Sequence, residues 1–280
     1  MFVFGKVLWL RCGGEMLICL SGLHGAGKSY FSFQSGIPQK QGFKVFNKKD
    51  VVRNLCIEEF RHKGINVVEK IITQLGRDFT DENERNEIIW KFCHKWYGGL
   101  MENDTYGITS RIINYVIQKS RMNNCNDIIL DAIHNNKEWE IIHELDKNSA
   151  LLMFMTPPNV RNERSTDIEF VNKQNAKRMG FWCSDPQLPP LPYMAVGFID
   201  GSQTIEQIEK DFIKFVSEAR VSIDKGCKNE CIDGDFLDSK LQGLLSENEA
   251  LTIQNAKLRY LAMQVQVNDF QNAGDDELVK

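Results

Sequence analysis

Residues 17 to 29 read "LICLSGLHGAGKS", an apolar run that passes straight into Gly22, Leu23, His24, Gly25, Ala26, Gly27, Lys28 and Ser29. The octet fits G-x-x-x-x-G-K-[ST], and it lies between a strand-like segment and the helical stretch "SYFSFQS", the context in which this pattern has meaning. The chemistry accounts for the residue types. Gly22, Gly25 and Gly27 let the backbone curl so that successive N–H groups point inward, at the positive end of the following helix. His24, Ala26 and Tyr30 complete the expected cradle. Lys28 is placed to reach outer phosphates, and Ser29 offers a hydroxyl to Mg²⁺. Such a loop holds the phosphates of a nucleotide without naming a reaction.

Outward from the loop, apolar runs of strand length recur: "LICLS" (17–21), "FKVF" (43–46), "DIILDAI" (127–133), "ALLMFMT" (150–156) and "AVGFID" (195–200). Their apolarity is continuous instead of alternating, which suits strands buried on both faces and predicts an α/β fold with a parallel sheet. Residues 47 to 126 hold no comparable strand. The helices "ENERNEIIWKFCHKWY", capped by Asp81 or Thr80, and "TSRIINYVIQKSR", capped by Thr105 or Thr109, make 54–122 a helical insertion after strand two.

Three further places carry candidate chemistry. In "FNKKDVVRN", Asp50 and Arg53 are three apart and share a helix face; the carboxylate could take a hydroxyl proton and the guanidinium could clamp an anionic acceptor. Asp131 ends the third strand, where a parallel sheet opens onto ligands, and is a candidate for orienting Mg²⁺. His134 follows it as an acceptor-side candidate. Strand four runs into "TPPNVRNERS", where Pro157 and Pro158 start a helix that places Arg161 and Arg164 one turn apart. Two guanidinium groups there would neutralise charge on a transferred phosphoryl group.

The chain has 280 residues, 42% of them hydrophobic, and a formal charge of −4, which suits one full domain with an appendage. The acidic balance argues against nucleic acid and an anionic membrane as partners. The basic stretch Lys40, Lys44, Lys48, Lys49 and Arg53 is the exception, and it lacks regularly interleaved aromatics. Eight scattered cysteines, with only Cys227 and Cys231 close together, read as reduced thiols of a cytoplasmic protein with no metal site built on them. Residues 1–15 are expected to be an N-terminal extension, too short and too charged for the ~20-residue span a membrane needs, with Met16 a candidate working start.

After a linker at 224–236, Leu237, Leu244, Leu251, Leu258 and Val265 recur every seven residues, with Leu241, Asn248, Asn255 and Ala262 at the alternate seam positions. This predicts a coiled coil over 237–267, a homodimer with two seam asparagines fixing its register, and a disordered tail at 268–280. A helix packed back on its own domain is the competing reading.

Taken in order, "LSGLHGAGKS", "NKKDVVRN", "IILDAIHNNKEWE", "TPPNVRNER" and "AVGFIDGSQTIEQIEKDF" resemble the nucleoside-monophosphate-kinase branch of P-loop kinases, near its adenylate-kinase-like and dephospho-CoA-kinase-like members and a related archaeal group. The resemblance covers about residues 16 to 220, within a kinase-like domain expected at 16–223. It implies a three-layer fold with a five-stranded parallel sheet in the order 2-3-1-4-5, an acceptor-site insertion at 54–122 and a lid at 157–194. It implies transfer of the ATP γ-phosphoryl to a nucleotide-like small molecule, with Lys28, Ser29, Arg161 and Arg164 handling ATP and Asp50 and Arg53 facing the acceptor. The chain departs from the pattern at two points. Asp131, Ala132, His134, Asn135 and Asn136 stand where relatives have Asp-Gly and then an acceptor-binding Arg, and Phe170, Val171, Asn172, Lys173 and Gln174 replace Phe-x-x-Arg-Asp. The departures leave a second reading, a nucleotide-binding regulatory module with weak transfer or none, dimerising through its zipper.

Overall fold

The computed structural model describes residues 15–122, 127–224, 238, 239, 241 and 243–277. The expected extension up to residue 14, and Cys227, Cys231 and Leu237 within and beside the expected linker, lie outside the described residues.

The five strands are β1 (Leu17–Gly22), β2 (Lys44–Asn47), β3 (Ile128–Asp131), β4 (Ser149–Met155) and β5 (Gly197–Asp200). All pairings are parallel, in the order β2-β3-β1-β4-β5, as the resemblance implies. Every residue of β1, β3 and β4 is buried, which explains why the runs read as continuous. Successive side chains go to opposite faces. Leu17 and Cys19 of β1 and Leu151 and Met153 of β4 join one core, while Ile18, Leu20, Leu152 and Phe154 join the other.

The second core is covered by α1 (Lys28–Phe33) and, after α2 (Ile37–Lys40), by the late helix α10 (Ile205–Asp224), and it centres on four aromatics. Phe212 stacks edge-on against Phe31 at 5.0 Å and Phe43 at 5.6 Å, and Phe31 meets Phe154 at 4.9 Å.

The insertion is helical, as expected: α3 (Lys48–His62), α4 (Val67–Leu75), α5 (Glu82–Asn103) and α6 (Thr105–Arg121). Asp81 caps α5 through the Glu84 N–H, but α6 is capped by Asp104, not by Thr105 or Thr109. Thr105 is the first helical residue, and Thr109 is fully buried inside the helix. Part of the insertion has its own small core of Cys56, Val67, Ile71, Ile89 and Cys93. Helix α7 (Asn136–Leu145) follows β3. The expected lid comprises α8 (Pro158–Glu163), α9 (Ile168–Trp182) and a short 3₁₀ turn at Leu191–Met194.

The C-terminal region corrects two expectations. The segment 237–267 is not one uninterrupted helix: the chain bends at Leu245 and Ser246, and a new helix α11 (Glu247–Glu277) begins. Leu241, Leu245 and Ile253 bury themselves in the domain core, so the competing reading holds for one side of the segment. The expected tail is helical through Glu277. It holds no proline, and each added residue gains a backbone hydrogen bond once a helix is nucleated. Among the described residues no helix is long and apolar enough to cross a membrane.

Truncating Phe212 to Ala empties the middle of the aromatic cluster. It should cost about 3–5 kcal/mol, read as a lowered urea midpoint with an unchanged slope; a loss below about 1 kcal/mol would mean that the cluster is not packed as described.

Candidate functional site

The loop leaves β1 at Gly22, whose φ of +143° and tight approach to the Phe154 carbonyl leave no room for a side chain. Gly27, at φ +91°, then caps α1. Lys28 is the first residue of that helix and is nearly buried, at 7% exposure. Its amine donates to the carbonyls of Gly22 (2.9 Å) and Leu23 (3.1 Å). Burial, reinforced by the nearby Arg178, lowers its pKa to about 7, with Asp131 acting in the opposite sense. Ser29 and Tyr30 are exposed on the same turn.

Asp131 ends β3, in register with Leu20 on one side and Asn47 on the other. Burial raises its carboxyl above the ordinary range, against the pull of Lys28 and Arg178. Its Oδ1 is buried without a hydrogen-bond partner among the described residues. Arg178, which the motif pattern did not single out, comes down from α9 and donates to the Gly22 carbonyl at 2.9 Å. A signal was present: Val171, Asn175, Arg178 and Trp182 follow helical spacing, and the other three are buried, so Arg178 shares the inward face. Asn175 on that face accepts from the His24 N–H at 2.7 Å, and the His24 ring meets Phe170 edge-on.

Arg161 and Arg164, the arginines expected in the lid, bond to groups other than those that hold the Lys28 amine. Arg164 donates to the carbonyls of Gly25 (3.2 Å) and Gly201 (2.7 Å). It lines a cavity of about 360 Å³ together with Gly27, Tyr30, Phe154, Gly201 and Ile205. Arg161 abuts Gly25 through its backbone but sends its guanidinium to Glu249 of α11, in a bidentate pair of 2.6 and 3.0 Å. Its Nε is buried without a partner among the described residues, a loss typically worth about 1–3 kcal/mol.

After β2, where the acceptor site is expected, Asn47 caps α3 through the Lys49 N–H and Asp50 falls in the first turn. Arg53 donates to Asp50 at 2.8 Å, and both side chains are substantially exposed, so the pair is closed on itself. The basic stretch is dispersed: Lys48 turns inward to Glu138 at 2.6 Å and to Tyr97, and its ammonium is held charged despite burial. The electrostatic environment of His134 includes Arg178, Lys48 and Lys28; burial first, then these charges, puts its pKa well below the usual value, so the imidazole is neutral. The two asparagines after it have structural tasks. Asn135 caps α7, accepting from Lys137 and Glu138, and Asn136 donates to the carbonyls of Asp185 and Pro189.

No family model and no curated protein matches the chain. Among solved structures, an unliganded sugar kinase from Janibacter sp. HTCC2649 aligns with 13% identity over 74% of this chain and 97% of its own, at TM-score 0.40. Shikimate kinase from Aquifex aeolicus vf5 aligns with 12% identity over 74% and 99%, at TM-score 0.35. Shikimate kinase from Acinetobacter baumannii in complex with shikimate aligns with 11% identity over 73% and 94%, at TM-score 0.41.

The lowered pKa of Lys28 has a signed consequence. Between about 7 and the ordinary 10.5 the unfolded chain holds a proton that the folded chain has lost, so this residue makes stability rise with pH in that window. The stability of the parent relative to Lys28→Met should therefore climb from pH 7 to 9.5, at most about 1.4 kcal/mol per unit, and stay flat below pH 6. Parallel denaturant curves showing a constant difference across pH 7–9.5 would contradict the burial of the amine.

Proposed function

We propose that the protein is an ATP-dependent phosphotransferase acting on a nucleotide or nucleotide-like small molecule. The observation that carries this reading is the meeting of Lys28, Arg178 and Asp131 at the glycine-rich loop that leads into α1. Arg178 and the half-titrated Lys28 face one carboxylate, and an anion bound beside them would hold Lys28 in its protonated form.

In this reading the loop and Lys28 hold the outer phosphates, and Arg178 neutralises charge on the transferred group. Arg164 and the cavity between α1 and the turn after β5 take the base, against which a planar guanidinium can stack. The unpartnered Oδ1 of Asp131 and the exposed hydroxyl of Ser29 fit a hard oxygen-seeking cation, and these two would hold Mg²⁺. The metal supplies charge neutralisation between the phosphates. Lid residues Asn175 and Phe170, which meet His24 of the loop, close over it and exclude water. The acceptor, a nucleoside monophosphate or a dephospho-CoA-like molecule, would enter past His134 and α3.

A screen for ADP release over nucleosides, nucleoside monophosphates and dephospho-CoA should find one acceptor that accelerates turnover at least tenfold, with Lys28→Ala abolishing the gain. ATP binding without any acceptor dependence would instead favour a regulatory module.

The partner in this reading is a second copy of the chain. Asn248, Leu251, Asn255, Leu258, Ala262 and Val265 are all exposed along α11, so the seam positions from 248 onward are free while the opposite side docks. The parent should sediment as a dimer and the double variant Leu251→Ser, Leu258→Ser as a monomer; a monomeric parent rules the zipper out.

A further inference from the structure

Helix α11 begins with a capping box. The Ser246 N–H donates to Glu249 Oε2 at 2.9 Å, while the Glu249 N–H reaches back to the Ser246 hydroxyl at 3.4 Å. The same Glu249 carboxylate accepts both terminal nitrogens of Arg161. That arginine is only 2% exposed, and the pair is drawn well inside the surface, with the Glu249 side chain at 14%.

The place of Arg161 gives this pair its meaning. A Cβ built on Gly25 would lie 3.2 Å from both the Cβ and the carbonyl oxygen of Arg161, so the arginine starts in van der Waals contact with the phosphate loop. Its guanidinium is nevertheless taken up by Glu249. A carboxylate presents the guanidinium fork with two oxygens in one plane, the same arrangement that a phosphoryl group presents. The unpartnered Nε shows that the present arrangement leaves one of the fork's donors unused.

We infer that Glu249 is a tethered competitor for the phosphate that Arg161 would otherwise engage, and that α11 is an autoinhibitory strap: docking of its first turns and full occupancy of the loop by a nucleotide exclude one another. The inference rests on the reading of the loop as an ATP site. The strap is anchored elsewhere by Ile253 and Leu245 in the core, and by Lys257 and Tyr193, which both donate to Asp238 at 2.9 and 2.5 Å. Exchange at Arg161 therefore frees the beginning of α11 without discarding the whole segment.

The full chain tests this directly. Hydrogen exchange across residues 247–257 is measured with and without saturating ATP and Mg²⁺, and ATP affinity is compared with that of Glu249→Gln, which keeps a capping-box residue but removes the charge. The strap predicts loss of amide protection in the first turns of α11 when ATP is bound, and an affinity gain of about fivefold or more in the variant. Unchanged protection with equal affinities, or weaker binding by the variant, overturns the strap while leaving the ATP site standing. Absence of ATP binding by either protein overturns both. Should the variant fail to fold, the exchange pattern of the parent decides alone.

Discussion

A lysine amine taken out of water at the carboxyl edge of the sheet is the constraint on which the surrounding structure depends. Isolated burial of an ammonium group costs several kcal/mol or is relieved by loss of its proton, and Lys28 stands between the two outcomes, with a pKa near 7. Its stabilisation comes from the carbonyls of Gly22 and Leu23 and from Asp131, so the loop must curl tightly and β3 must end where it does. Arg178 then adds a second cation to the same carboxylate. The electrostatic surplus at the mouth of the sheet belongs to the folded architecture itself and comes from three elements far apart in the chain.

How much of this was legible in the sequence depends on range. Continuous apolar runs in β1, β3 and β4 disclosed a sheet buried on both faces, and the glycines disclosed the loop, because each is a local pattern. The caps were readable to within a residue, as Asp81 and the shift from Thr105 to Asp104 show. Asp50 and Arg53 were legible as a pair, but their spacing favours each other as much as a ligand, and in the structure they meet. Arg178 lies 156 residues from the carbonyl it binds. No short pattern encodes that contact, although the buried face of α9 contained it. The asparagines at 135 and 136 could be seen as departures from a family pattern, but their tasks, a cap and a staple to the segment after α9, emerge only once that segment is in place.

The C-terminal region shows two periodicities written over the same residues. The heptad of leucines and asparagines describes the outward side of α11, while Leu241, Leu245 and Ile253 describe the side that meets the domain. Either pattern alone would be a complete account of an amphipathic helix. The bend at Ser246 reconciles them, because it lets the first leucines bury before the exposed seam begins, and it brings Glu249 to Arg161.

The separate core of the insertion carries a consequence of another kind. Cys56, Val67, Ile71, Ile89 and Cys93 pack with one another as a small cluster of their own, and Trp96 packs against both this cluster and the core on one face of the sheet. Trp96 and helix α3, which gives Val51, Val52 and Leu55 to the core of the sheet and Cys56 to the small one, are the places where the two are mechanically joined.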